Sequence, residues 1–508
     1  MNFPDHFKWL FENGPSIPIY DAHENIEILT SPSHFHQTMI NQAKNVSKRI
    51  KLSTLYLGND PPTKILVDAI FANLRKSNKN SETEKSKTGL TFEIVCDYAR
   101  GNRNSDSTRG AILPIKKEFP DKVKLSMYST PAIGNTVNNY FPSILKETIG
   151  VQHSKIYLFD DNVILSGANL SQIYFTNRTD RYILFKNQPI LCDFLCQFLE
   201  KMQKLSIDID ENDKEIVNSY HPVSSDRIQF MEFAQKLFEP LFMPKRWGGD
   251  QKFSHSSSPE ASENSTTWLF PTFQAKQLGI THDSETIIKL LKNTFDYNSK
   301  IHISTGYFNL AREVQDAVLD SKCSEIKILC AADEANGFYK AKGLMGRIPD
   351  MYNLIGSDFY QMIRKCQMED IVNLFEYKRE GWSFHSKGIW YSEREEKEQF
   401  TEQDSNNSTS STSNSNSNSN SKLFVCNVFG SSNFGFRSFH RDTELQMTLV
   451  TCRGSTDSHI LKSKFDEERR RIFDKNYIKA VDDNRQKEMC ADIPTWVRYF
   501  SLFAKNYL

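Results

Sequence analysis

The order of strand-like segments in the first half of this 508-residue chain returns in the second half. RIKLSTLYLGN (Arg49 to Asn59) is echoed by KIHISTGYFNL (Lys300 to Leu310), and TFEIVCD (Thr91 to Asp97) by SEIKILCAAD (Ser324 to Asp333). QHSKIYLFD (Gln152 to Asp160) is echoed by FHSKGIWYS (Phe384 to Ser392), and VILSGANLS (Val163 to Ser171) by VFGSSNFGF (Val428 to Phe436). Each segment is short, apolar and rich in β-branched or aromatic residues, the signature of a strand. Helical patterns fall between them, for example over Thr286 to Phe295 and Asp358 to Cys366. Strands alternating with helices, twice in the same order, imply two similar α/β halves. They are expected to pack face to face as a pseudo-dimer with one shared active site.

Three polar stretches mark loops or linkers: Asn78 to Lys87, Gly249 to Thr266, and the Ser/Asn/Thr tract Ser405 to Ser421. None can bury enough apolar surface to offset the entropy of ordering it. The last falls between the final two strands of the second copy, where a hairpin tip would carry it. The expected division is an N-terminal extension (1–30), a first half (31–215) and a connecting segment (216–285) containing the Ser-rich loop 249–266. A second half (286–475) with the low-complexity insertion 401–421 and a C-terminal segment (476–508) follow.

Composition excludes several classes. Lys plus Arg and Asp plus Glu balance at 63 each, so no global field draws the chain to nucleic acid. The nine cysteines form no CxxC pair, which argues against zinc ribbons and a disulfide framework and for a reduced compartment. No apolar run is long enough for a spanning helix. The first 29 residues have no apolar signal core and no arginine, unlike an Arg-rich transit peptide.

The repeated HSK element carries chemistry. Residues i and i+2 of a strand share a face, so His153 points with Lys155 and His385 with Lys387. An imidazole there can serve as nucleophile or proton shuttle near neutral pH. A neighbouring ammonium supplies positive charge for a phosphate oxygen and favours the neutral imidazole. Asn169 and Asn433 follow small residues, SGAN and GSSN, which allow a ligand to approach the backbone. Eleven positions beyond each asparagine stands an acid, Asp180 and Glu444. A carboxylate accepting from Nδ1 would fix a histidine tautomer and stabilise imidazolium. Arg178, Arg181, Arg437 and Arg441 flank these acids and offer a second phosphate contact or plain surface charge. Asp97, Arg100 and Arg103 follow a strand and either line the same cleft or form a turn. LYLGNDPPTK (Leu55 to Lys64) lacks the second glycine and the GK[ST] ending of a P-loop.

This arrangement resembles the phospholipase D superfamily, whose motif is HxKxxxxD followed by a small-residue–Asn element. His153, Lys155 and Asp160 match it fully, whereas Ser392 replaces the acid after His385 and Lys387. Asp160 stands at a strand end and would cap a turn or buttress the motif. The wording of KIYLFDDNVILSGANLSQIYFTNRTDRY, STLYLG, STGYFNL, NGFYKAKG, GWSFHSKGIW and GSSNFGFRSFHRD is similar to the mitochondrial phosphatidylglycerophosphate synthase family. That resemblance implies transfer of a phosphatidyl group from CDP-diacylglycerol to glycerol 3-phosphate, with release of CMP, through a phosphohistidine. His153 would attack and His385 would act as acid, then base. Lys155, Lys387, Asn169 and Asn433 would hold the equatorial oxygens. The scheme requires no metal and no cofactor. The resemblance also implies a mitochondrial, inner-membrane-associated enzyme.

A lipid substrate calls for peripheral membrane contact. In PTWVRYFSLFAKNYL at the C-terminus, Trp496, Phe500, Phe503 and Tyr507 recur at helical spacing with Arg498 and Lys505 between. FEPLFMPKRWGG (Phe238 to Gly249) is a second candidate. The alternatives are another phosphatidyltransferase or phospholipase of the superfamily, of cardiolipin or phosphatidylserine synthase type. A nucleic-acid phosphodiesterase and a non-catalytic lipid-binding protein are more remote.

Overall fold

The computed structural model describes residues 2–84, 89–103, 107–133, 143–217, 219–221, 226–248, 265–393 and 423–504. Most of the Ser-rich linker and the Ser/Asn/Thr tract lie outside these residues. The first half supplies eight strands in chain order: Ile26–Ile28 (β1), Arg49–Ser53 (β2), Thr91–Asp97 (β3), Val123–Tyr128 (β4), Ile156–Phe159 (β5), Asn162–Ser166 (β6), Tyr182–Phe185 (β7) and Ser206–Ile209 (β8). The second supplies Thr267–Ala275 (β9), Ser299–Ser304 (β10), Glu325–Ala331 (β11), Val372–Tyr377 (β12), Gly388–Glu393 (β13), Cys426–Gly430 (β14), Glu444–Thr451 (β15) and Ile478–Ala480 (β16).

The two sheets, of nine and eleven strands, share a matched set of eight. Their orders are β8-β4-β3-β2-β5-β6-β7-β1 and β16-β12-β11-β10-β13-β14-β15-β9. In each, the first, second and third repeated strands pair in parallel, as β2-β3-β4 and β10-β11-β12. The strands after the HSK element then run antiparallel to the sheet edge. Helices cover the outer faces. Pro32–Asn45 (α1), started by Ser31 accepting from His34 N–H at 3.1 Å, packs with Pro61–Glu84 (α2) on the first sheet.

Inner faces meet in one core. Ile156, Leu158, Val163 and Phe185 of the first sheet and Trp390, Phe429, Leu445 and Met447 of the second belong to a single apolar cluster. Helix Pro189–Lys204 (α3), with proline in its first turn, adds nine buried residues, among them Leu191, Phe194, Leu195 and Phe198. Burying a Phe or Leu side chain contributes about 1.5–3 kcal/mol, so this cluster ties the two sheets into one body. Two further cores lie beneath the outer helices of each half.

Several boundaries differ from the sequence expectation. The N-terminal stretch is no appendage: Pro15–Ile19 pairs antiparallel with β9, and Ile26–Ile28 is an edge strand of the first sheet. The connecting segment contains β9, fully buried and paired along its whole length with β15. The C-terminal segment contributes β16. Asn78 to Glu84 is the last part of α2 rather than a loop, because a charged sequence without Gly or Pro can continue a helix whose inner face is packed. In FEPLFMPKRWGG, Phe238, Leu241, Phe242 and Trp247 are buried, so that segment packs against the protein.

Candidate active site

The middle residue of each HSK element explains how the other two are aimed. Ser154 meets Ser53 of β2 with Oγ–Oγ 3.0 Å, and Ser386 meets Ser304 of β10 at the same distance. The serines fasten one side of the extended segment to the sheet, and His and Lys face the other way.

Backbone from the opposite half then locks each histidine. His153 N–H donates to the Thr443 carbonyl at 2.9 Å, and His385 N–H to the Thr179 carbonyl at 2.8 Å. These threonines precede the two acids, which arrive crossed. His153 Nδ1 lies 3.0 Å from both Glu444 oxygens, and His385 Nδ1 lies 2.7 Å from Asp180 Oδ2. Each imidazole is therefore held by the carboxylate of the other half. Both histidines are buried, and the crossed carboxylates bring them close enough for His153 to depress the basicity of His385.

The two sides differ in charge. Glu444 also accepts from Ser431 and from Ser438 Oγ, the latter at 2.7 Å. Burial raises the Glu444 pKa, but His153, Lys155 and Ser431 outweigh it, and the carboxyl stays below its usual range. Asp180 has fewer donors, and burial pushes it up to about 6. Lys155 donates to the His153 carbonyl at 2.5 Å, and burial lowers it to about 7. Lys387 donates to the His385 carbonyl at 2.6 Å and also lies 2.7 Å from His385 Nδ1; burial brings it down to about 8. Burial, followed by Lys387 and Arg178, drives His385 well below the ordinary histidine value, and burial lowers His153 as well.

The asparagines line the same place. Asn169 Nδ2 donates to Tyr174 Oη at 3.0 Å, and Tyr174 Oη lies 3.4 Å from His385 Nε2. Asn433 Oδ1 is buried without a partner among the described residues, and a Cβ at Gly306 would meet both it and the His385 backbone. Asp97, pushed up to about 7 by burial, accepts from Gln152 N–H at 3.0 Å and so braces the residue before His153. Sequence reasoning missed Tyr174, Tyr56 and Tyr307; the last two occupy matched positions in STLYLG and STGYFNL, a signal the repeat contained.

Other expected residues lie elsewhere. Asp160 is separated from Lys155 by the whole of β5, about 16 Å at 3.3 Å per residue. Its carboxylate accepts from the backbone N–H of Ser47, Lys48 and Arg49 at 2.8–2.9 Å. It buttresses the turn entering β2, the structural place expected for it at the strand end, although the motif groups it with the catalytic His153 and Lys155. Ser392 can replace it because Asp296, within the matching turn, accepts from Asn298 N–H at 2.9 Å. Arg181 forms a buried fork with Glu468 at 2.7–3.0 Å and donates to the Val428 carbonyl at 2.9 Å, joining the halves rather than meeting a substrate. Its guanidinium fills the space over Gly388, at φ +144°, where a Cβ would fall 2.0 Å from Arg181 Nη1. Arg437 pairs with Asp442 at 2.9 Å, and Arg441 donates to the Thr148 carbonyl. In LYLGNDPPTK, Asp60 accepts from Thr63 N–H at 3.0 Å, so a carboxylate already caps the start of α2.

Comparison with known proteins places this architecture. No family model matches the chain. Relatives named mitochondrial CDP-diacylglycerol–glycerol-3-phosphate 3-phosphatidyltransferase are 31% identical in Gallus gallus and in Mus musculus, each alignment covering 99% of this chain and 86% of the relative. A probable enzyme of the same name in Dictyostelium discoideum is 28% identical, over 99% of this chain and 81% of its own length. Among solved structures, phosphatidylserine synthase of Haemophilus influenzae superposes with a TM-score of 0.67 at 17% identity, over 99% of both chains, which establishes the shared fold. The mixed sheets, the doubled HSK cleft and the full-length kinship together make this chain a member of the CDP-diacylglycerol–glycerol-3-phosphate 3-phosphatidyltransferase family.

Proposed function

We propose that the chain forms phosphatidylglycerophosphate and CMP from CDP-diacylglycerol and glycerol 3-phosphate, through a phosphohistidine on His153. The observation that carries this is the unequal wiring of the two imidazoles. His153 Nδ1 faces only a carboxylate, so the proton sits there and the Nε2 lone pair is free to attack. His385 Nδ1 is also approached by the Lys387 ammonium, which as a donor leaves the proton on Nε2.

In the first step His153 Nε2 bonds to the phosphatidyl phosphorus. The bond from phosphorus to the CMP oxygen breaks, and His385 Nε2–H protonates that oxygen as Lys387 passes a proton to Nδ1 and keeps the imidazole neutral. In the second step the glycerol hydroxyl gives its proton to His385 Nε2, Nδ1 returns its proton to Lys387, and the hydroxyl oxygen bonds to phosphorus. The nitrogen–phosphorus bond breaks and its electron pair returns to His153. Lys155 and Lys387, aided by the Asn169 and Asn433 amides, hold the non-bridging oxygens as charge builds. Lys155 lies near 7 when the cleft is empty, and a phosphate oxygen beside it favours its ammonium form.

Helix Thr495–Ala504 (α5) supports contact with the inner mitochondrial membrane. It buries Val497 with Met351 of Ile348–Lys365 (α4) and exposes Trp496, Tyr499, Phe500, Leu502 and Phe503. Tyr339, Leu344 and Met345, just before α4, are exposed as well. Tyr352 of α4 stacks on Tyr307 at 5.1 Å, and Tyr307 lies 6.4 Å from the His385 ring, so this apolar face adjoins the cleft. Lys505 and Tyr507 fall outside the described residues. Among the described residues no helix is long and apolar enough to cross a membrane.

The test is transfer of labelled glycerol 3-phosphate to CDP-diacylglycerol in micelles, with and without EDTA, for wild type, His153→Ala and His385→Ala. Labelled lipid and CMP that require both histidines support the reading. Turnover only with water or another alcohol would replace the acceptor. Flotation with anionic vesicles tests the membrane face: Leu502→Ser/Phe503→Ser is expected to lose binding, and undiminished binding overturns that assignment.

A further inference from the structure

The pseudo-symmetry of the cleft is broken by one pair of residues. Counting back two positions from the orienting acids, the first half has Arg178 where the second has Asp442. Asp442 is paired: its Oδ1 meets Arg437 at 2.9 Å and accepts from Val151 N–H at 3.0 Å. Arg178 touches no carboxylate directly, although it lies close enough to Asp180 to act on its charge. It is 8% exposed, its Nε donates to Ser383 Oγ at 3.0 Å, and its guanidinium lies 4.5 Å from the Tyr174 ring centre. Among the described residues it forms no ion pair with a carboxylate. A buried charge is costly unless paired, so a site that keeps one unpaired is built for an anion that arrives later.

Its placement is deliberate in the fold. Arg178–Thr179 pairs in parallel with Ser383–Phe384, the two residues before His385. The arginine is thus delivered by the first half onto the histidine of the second. Gly337 closes over it: a Cβ there would fall 3.1 Å from Arg178 Nη2 and 3.0 Å from Tyr307 Oη. The fork therefore stands near His385, with Tyr174 and Tyr307 around it.

We propose that Arg178 seats the phosphate monoester of the acceptor, so that the enzyme selects a phosphorylated polyol over neutral alcohols and water. This rests on the reading above, in which the acceptor hydroxyl gives its proton to His385. A planar guanidinium presents paired donors that match phosphate oxygens, and it turns the acceptor so that its far hydroxyl reaches His385. Arg178 is a specificity residue: it binds and orients, and takes no part in proton transfer. The leaving CMP also carries a phosphate monoester and departs on the same side, so the two sources must be separated experimentally.

Wild type, Arg178→Gln and Arg178→Lys are compared in three assays: steady-state transfer to glycerol 3-phosphate, transfer to glycerol, and exchange of labelled CMP into CDP-diacylglycerol without acceptor. Arg178→Gln is expected to raise KM for glycerol 3-phosphate by roughly 10²–10³-fold, with a much smaller effect on kcat. The preference for glycerol 3-phosphate over glycerol should collapse by the same factor, CMP exchange should fall far less, and Arg178→Lys should recover part of the preference. Equal loss in all three assays would assign Arg178 to the nucleotide phosphate or to structure and overturn the proposal, as would an unchanged preference. Absence of CMP exchange in the wild type would instead sink the phosphohistidine. In that event thermal stabilisation of His153→Ala by glycerol 3-phosphate, lost on adding Arg178→Gln, still decides the seat of the phosphate.

Discussion

The His153 and His385 sides of the cleft are built from matching strands in the same order, and each lysine donates to its own histidine carbonyl, yet the surroundings of the two acids differ. Glu444 is supplied with two hydroxyl donors besides His153 and stays ionised, whereas Asp180 is poorly supplied and shares the Nδ1 of its histidine with Lys387. Beyond them, Asp442 is paired and Arg178 is not. Duplication provides two equivalent histidines, but the two-step transfer proposed above needs unlike ones, a nucleophile and a proton carrier. The neighbours, rather than the motif, make that distinction.

The sharpest way to break the comparison is to remove each imidazole. His153→Ala should abolish both CMP release and lipid transfer, a loss beyond about 10⁴-fold. His385→Asn should lose about 10²–10⁴-fold in turnover yet still give a burst of CMP stoichiometric with enzyme, read by rapid quench. A burst from the His153 variant instead would exchange the two roles. Next come the acids. Glu444→Gln is expected to cost about 10³-fold in kcat, and Asp180→Asn about tenfold, because Lys387 still contacts Nδ1 of His385; equal losses would erase the asymmetry.

A pH measurement sharpens it further. Burial lowers Lys155 from the ordinary lysine value of 10.5 to about 7, so between these values the unfolded chain binds more protons than the folded one. Stability from this group is present above 10.5 and is lost as pH falls through about 7. Lys155→Met should therefore be inactive but more thermostable, with a Tm advantage over wild type that widens as pH is lowered from 10 to 7. A constant difference would refute the buried-amine account. The smallest effect concerns Asp160. Asp160→Ala should lower stability by about 1–2 kcal/mol through lost backbone contacts, seen in denaturant melts, with kcat within about threefold of wild type. A large loss of kcat would return Asp160 to the catalytic machinery.

Much of this site is legible from sequence because its geometry is local. The i and i+2 rule sets His and Lys on one face, and the equal offset to Asp180 and Glu444 flags both acids. What the sequence does not disclose is which acid serves which histidine, since that depends on how two distant halves cross. Nor does it disclose β9: Pro271 argues against a central strand. The Pro15–Ile19 strand covers only Thr267–Leu269, and so leaves the backbone beside Pro271 free of that partner. Asp160 misleads for the opposite reason. It belongs to the motif by spacing, but β5 carries it to the far end of the strand, where it serves a turn.

The crossed carboxylates also set a clock. His153 and Glu444 are 291 residues apart, so at about 5–20 residues per second a ribosome needs roughly 15–60 s after making that histidine to supply the acid that holds it. Throughout that interval the first half has its histidine and lysine but no working cleft. A half-made or truncated chain is thereby silent toward phospholipids, and activity begins only when the whole molecule has been made and closed.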